Sequence, residues 1–114
     1  MVVRKKQQML QQRDNMRGGD GTIDIHHILS EEDLPQNSRL YARVVIKPGC
    51  SIGEHEHAGE AELFYVLSGM GMAVDGDQKR EVGAGDTLVT ANGSHAIKNV
   101  GSEDLELLAV IITE

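Results

Sequence analysis

His55, His57, Glu62 and His95 are the residues whose types and spacing could do chemistry in this chain. Three imidazoles and one carboxylate make a ligand set for a divalent transition metal. Neutral imidazole suits Zn, Cu, Fe and Ni, and carboxylate extends the range to Mn. A few His with one carboxylate, leaving positions open for water or substrate, is the pattern of a catalytic rather than a structural centre. A structural zinc site would draw on cysteines, and Cys50 is alone. A His-x-His pair by itself says little, since histidine has ordinary structural uses. The whole set, spread over two regions of the chain, is what carries the reading. On the bland alternative, Glu54, Glu56 and Glu60 are simply a solvated acidic edge.

The elements that must position these residues read as β-strands. Successive side chains of a strand alternate faces, so His55 and His57 project from one face as a pair. Glu62 lies five residues beyond His57, an odd offset that would put it on the opposite face of an unbroken strand. Gly59 in between allows the chain to reverse and begin a neighbouring strand at Glu62. His95, just after the turn-forming pair Asn92-Gly93, would close the site from a late strand.

Nine short segments carry the β texture: residues 22–29, 39–46, 51–57, 62–67, 70–74, 79–82, 87–90, 95–100 and 105–112. They are separated by turn signals such as Lys47-Pro48-Gly49, Asp75-Gly76 and Gly83-Ala84-Gly85. Short strands at this spacing define an all-β sandwich or barrel, and no helical period is sustained anywhere. Residues 1–21 are polar and end in Gly18-Gly19-Asp20-Gly21. They read as an N-terminal arm, ordered by a partner subunit or by the barrel edge.

The bulk properties narrow the function. The chain of 114 residues is one small domain. A formal charge of −7, from 18 acidic and 11 basic residues, argues against non-specific nucleic-acid binding. No run of apolar residues is long enough for a transmembrane helix, so no membrane partner is expected. The basic start Met1 to Gln8 lacks the apolar stretch of a secretory signal. One cysteine fits a reducing compartment, and a cytoplasmic location is expected.

The motifs resemble those of the cupin superfamily, whose first motif is Gly, five residues, His-x-His, three or four residues, Glu, six residues, Gly. Here it runs Gly49, His55-Glu56-His57, Glu62, Gly69, with every fixed position filled. The second motif is similar to Gly85, Ala91-Asn92-Gly93-Ser94-His95 and Asn99. It departs from the pattern at Ala91, where proline is usual, and in having one residue rather than two between Gly93 and His95. The resemblance implies a double-stranded β-helix, or jelly-roll barrel, over residues 22–114, with the arm of residues 1–21 packed on a partner in a homodimer. It implies His55, His57, Glu62 and His95 as metal ligands and Asn99 as a motif residue without a ligand role. The metal could be Fe, Mn, Zn, Ni or Cu.

Alternation then sorts the pocket. With Glu62 inward, Phe64 and Val66 follow it, and Ile97 shares the face of His95. On the strand of residues 39–46 either Tyr41, Arg43 and Val45 face inward, or Leu40, Ala42, Val44 and Ile46 do. The second set looks like core packing, whereas an inward Arg43 would clamp an anion. His26 and His27 must face opposite ways. Cys50 reads as a small, half-buried thiol, and Met70 and Met72 as gap-filling core.

The functional expectation is a metal-dependent action on a small molecule held in the barrel: oxygenation, isomerisation or lyase chemistry. No catalytic residue beyond the ligand set is assigned. The alternative is a non-catalytic small-molecule or metal-sensing module, and a structural barrel with a vestigial site is a third reading.

Overall fold

A computed structural model describes all 114 residues. Eight antiparallel strands form one sheet: β1 Met9–Asp14, β2 Thr22–His27, β3 Ser38–Ile46, β4 Ser51–Ser68, β5 Met70–Asp75, β6 Gln78–Gly83, β7 Thr87–Asn99 and β8 Leu105–Thr113. The spatial order is β1-β2-β3-β8-β4-β7-β5-β6. Four of the seven contacts join strands that are not consecutive, the crossover pattern of a jelly roll. Only single 3-10 turns, at Lys5–Gln7, Met16–Gly18 and Glu31–Asp33, interrupt the β structure.

The core forms where alternation sends apolar side chains to one face. Ile23 and Ile25 of β2, Ala42, Val44 and Ile46 of β3, and Leu105, Leu107 and Ala109 of β8 are all buried. They meet Ile52, Phe64 and Val66 of β4 and Ile97 of β7 in one cluster. The β3 parity is therefore the core-packing set. Arg43 lies on the outside, where it pairs with Glu106 at 2.6 Å, and does not clamp an anion in the barrel.

Two pairs of expected strands are single long ones. The segments 51–57 and 62–67 form one strand, β4, and 87–90 and 95–100 form β7. Gly59 and Asn92 do not reverse the chain. Each adopts a left-handed backbone, φ +71° and +50°, in mid-strand. The two bends lie side by side, joined by a hydrogen bond from the Gly59 N–H to Asn92 Oδ1 at 2.8 Å. Here the register slips, with His57 opposite Gly93 and Ala61 opposite Ala91. A slip of this kind is a bulge, which bends the strand and re-aims its side chains.

The N-terminal segment adds β1 to the edge of the barrel, pairing with β2 from Met9 opposite His27 to Asp14 opposite Thr22. It then crosses the start of β4 so closely that a Cβ on Gly53 would lie 2.1 Å from the carbonyl oxygen of Arg17. Met70 is 44% exposed and is not core, because β5 turns it outward.

Candidate metal centre

The bends determine what reaches the site. His57 and Glu62 are five apart on β4, and Thr90 and His95 are five apart on β7, and all four are buried. In a regular strand each odd offset would split its pair between two faces. The left-handed residue inside each gap restores both members to the interior. His55 enters from the same strand as His57 and is half-buried.

One ligand atom from each of His55, His57, Glu62 and His95 lies within 4.8 Å of the others. Glu62 Oε1 is 3.0 Å from Nε2 of both His57 and His95. His95 Nε2 is 3.1 Å from Nε2 of His57 and of His55. The three rings pack edge to face with centroids 4.6 to 4.8 Å apart. Phe64 stacks on His95 at 5.0 Å and fixes that ring's plane.

The far nitrogen of each ring is also held. His55 Nδ1 donates to the carbonyl of Gly53 at 2.8 Å, and His57 Nδ1 donates to Glu60 at 2.5 Å. His95 Nδ1 pairs with the Thr90 hydroxyl at 2.8 Å. A carbonyl and a carboxylate can only accept, so His55 and His57 carry their proton on Nδ1 when neutral. Their Nε2 lone pairs then point at one another and at Glu62. A shared cation would relieve that crowding of electron pairs, and a transition metal fits this donor set. The cluster could therefore hold a metal ion.

Electrostatics support the same arrangement. Burial pushes the His55 pKa below its usual value; the Gly53 hydrogen bond opposes this, and the two neighbouring imidazoles add to it. The neutral, ligating form is thus favoured. Glu60 is held down to about 2, chiefly by its hydrogen bonds from Arg39. Arg39 clamps that carboxylate through Nε at 2.7 Å and a terminal nitrogen at 2.6 Å.

Sequence reasoning placed all four cluster residues but missed those behind them. Glu60 is not part of a solvated edge: its side chain is 13% exposed and serves His57. Thr90 and Gly53 were also missed. A usable signal existed for Thr90, whose five-residue offset to His95 around Asn92 mirrors that of His57 and Glu62 around Gly59. Asn99 is buried and holds no place in the cluster. Its amide donates to the carbonyls of Ile46 at 2.8 Å and Glu103 at 2.7 Å, and its oxygen accepts from the Gly101 N–H, pinning the β7–β8 connection to the end of β3.

The cluster opens into a cavity of about 670 Å³ between the N-terminal segment, β2 and β3. His55, His57 and Glu62 form its floor, and Arg13, Arg17, Arg39, His27 and Glu31 stand on its wall. His27 therefore faces inward, where its Nε2 meets Gln11 at 2.8 Å.

An antiparallel jelly roll with His and Glu converging inside it defines a class of protein by itself. A cupin-domain family model matches residues 42–111, and the chain belongs to the cupin family. It is 44% identical over 113 residues to a protein of Thermotoga maritima named oxalate-binding protein, covering 98% of this chain and 93% of that one. The crystal structure of a predicted oxalate decarboxylase from the same organism superimposes with a TM-score of 0.93 at 43% identity, each chain covered in full. A Cupin 2 conserved barrel domain protein from Salinispora arenicola shares the fold alone, with a TM-score of 0.74 at 22% identity over 98% of this chain and 88% of that one.

Proposed function

We propose that this cupin holds one divalent transition metal on Nε2 of His55, His57 and His95 and the carboxylate of Glu62, and uses it to capture a small carboxylate anion of the oxalate type. The observation that carries the reading is the convergence of three imidazole Nε2 atoms on Glu62, with the opposite nitrogens of His55 and His57 tied to pure acceptors. The bound metal would supply a Lewis acid for the ligand's oxygens.

The chain's own residues do the rest. Gly53, Glu60 and Thr90 keep the rings oriented before anything binds, so little ordering remains to be done on loading. Arg13 and Arg17 place positive charge on the cavity wall of an otherwise acidic chain, which draws an anion inward. Phe64, Ile25, Val44 and Ile52 line a small, mostly apolar pocket beside His55 and Glu62. The resemblance in sequence to the Thermotoga protein named oxalate-binding supports the anion class.

Capture without turnover is the favoured form. The small apolar pocket beside the cluster has no titratable group apart from His55 and Glu62 themselves, whereas breaking a carbon–carbon bond in such an anion ends with a proton delivered to carbon. Lyase turnover is the second reading, favoured by His27 and Glu31 on the outer wall as proton carriers.

The test begins with elemental mass spectrometry on untagged protein beside the His55→Ala/His57→Ala double variant. Near one equivalent of metal in the parent, lost in the variant, is expected. Calorimetric titration with oxalate should then show saturable binding to the metal-loaded parent only. Release of formate and carbon dioxide would shift the conclusion to the lyase. A parent that takes up no metal after reconstitution would sink both readings.

A further inference from the structure

The cavity in front of the cluster is far larger than oxalate. Its volume is about 670 Å³, whereas oxalate has the bulk of about three waters, roughly 90 Å³. Clefts of this size, with apolar walls and a few placed polar groups, suit larger ligands. The apolar lining extends outward from the cluster. Ile111 of β8 lies directly opposite Glu62 of β4, and Met16, Ile25 and Leu40 adjoin His55 and Glu62. The connection between β2 and β3 then brings Leu29 and Leu34 to the same cavity. Both leucines are half-buried, yet neither packs on the core cluster; they face the cavity instead. With oxalate alone in place, most of this volume holds water against apolar side chains. A carbon chain would displace that water, a gain that grows with the apolar area covered.

We propose, resting on the metal-site reading above, that the ligand class is an α-keto acid with an apolar tail. Its head takes the place of oxalate at the cluster, and its tail lies along Met16, Leu40 and Ile111 toward Leu29 and Leu34. Oxalate presents two oxygens on adjacent carbons. An α-keto acid keeps that pair and carries a carbon chain where oxalate has a further oxygen. The head is thus recognised as oxalate is, and the chain meets the part of the cavity that oxalate leaves wet.

Calorimetric titration of the metal-loaded full chain with oxalate, pyruvate, α-ketobutyrate, α-ketocaproate and α-ketocaprylate tests it. A fully buried methylene is worth about fourfold in affinity. In a half-open cavity about two- to fourfold per methylene is expected, so α-ketocaprylate should bind at least about 30-fold tighter than pyruvate. The heat capacity change of binding should grow more negative along the series. One molecule should bind per chain, and oxalate should displace it. The Leu29→Ser/Leu34→Ser double variant should cut the ratio of α-ketocaprylate to pyruvate affinity by about fivefold or more. That ratio is internal to each protein, so it is not moved by a loss of folded or loaded fraction. If the variant fails to fold, the chain-length series and its heat capacities in the parent decide. Oxalate binding together with α-keto acid affinities that stay within about threefold would overturn the tail and leave the metal-site reading standing. Metal-loaded protein that binds neither oxalate nor any α-keto acid would overturn both. An equal chain-length gain in metal-stripped protein, or binding that oxalate does not displace, would overturn the placement of the head at the cluster.

Discussion

Glu60→Gln isolates what a residue behind the cluster contributes. Glu60 Oε2 accepts from His57 Nδ1 at 2.5 Å and from an Arg39 terminal nitrogen at 2.6 Å, while Oε1 accepts from Arg39 Nε at 2.7 Å. A glutamine can keep its oxygen at the first position, which preserves the bond to His57. Its NH₂ then opposes the Arg39 Nε–H, and the negative charge behind the imidazole is gone. Loss of an outer partner to a metal-bound histidine costs 10- to 100-fold in affinity. Because the hydrogen bond survives, the lower end applies: about tenfold, or about 1.4 kcal/mol. Glu60→Ala removes the acceptor altogether and leaves the Nδ1–H of His57, a residue 3% exposed, without a partner. It should approach the upper end, about 100-fold. The stability of the metal-free protein should respond differently. The Arg39 side chain is 49% exposed, so losing that ion pair in the Gln variant should cost less than about 1 kcal/mol. Competition against a chromogenic chelator at pH 7.5 gives the affinities, and urea unfolding of stripped protein gives the stabilities. Both variants binding within twofold of the parent would refute the reasoning. So would a Gln variant whose metal-free stability falls by more than its metal affinity, since Glu60 would then be structural.

Two further outcomes follow from buried polar groups. Asn99→Asp keeps the shape but turns both amide donations into a carboxylate facing the carbonyls of Ile46 and Glu103; a loss of about 3 kcal/mol is expected in urea unfolding, and a change below about 1 kcal/mol would show that the staple contributes little. The metal-free protein should also lose stability on acidification in two stages. The folded His55 pKa lies below its ordinary 6.5, so the unfolded chain binds the proton first and stability falls as pH drops below 6.5. The folded Glu60 pKa is depressed from 4.5 to about 2, so its contribution is present above 4.5 and is lost as pH falls toward about 2. Unfolding free energies measured at pH 7.5, 5.5 and 3.5 should decrease in that order, and a profile that is flat or rising from 7.5 to 5.5 would contradict the His55 assignment.

Much of this molecule was legible because burial enforces pattern. Strands β2, β3, β5, β6 and β8 were located to within a residue or two, but both β3 parities stayed open until the structure buried Ala42, Val44 and Ile46 in the core. The four cluster residues were legible through their spacing. The failures have a common cause. Gly59 and Asn92 are turn-forming residues, and a local sequence cannot distinguish a reversal from a bend within one strand; only the cross-strand register does. Strand β1 lacked any alternation because Met9 and Leu10 stay 66% and 55% exposed, so its place is set by the backbone ladder to β2 rather than by burial. Glu60 was hidden for the same reason as the bends: without the local geometry at Gly59, nothing ties it to His57 rather than to solvent.

The paired bends explain why the site lies where it does. An unbent β4 could send His55 and His57 inward or Glu62, Phe64 and Val66 inward, but not both, and an unbent β7 would separate Thr90 from His95 in the same way. One bend alone would leave β4 and β7 out of phase and break their ladder beyond it. Two bends, matched in position and tied by the Gly59–Asn92 hydrogen bond, change the phase of both strands together, so pairing resumes with Ala61 opposite Ala91. The cost is two residues in left-handed backbone, one a glycine and the other an asparagine, the side chains that tolerate it best. The return is that the ring-bearing half of each strand and its strongly hydrophobic half face one interior. The same phase change turns Leu63 and Tyr65 outward immediately behind Glu62 and Phe64.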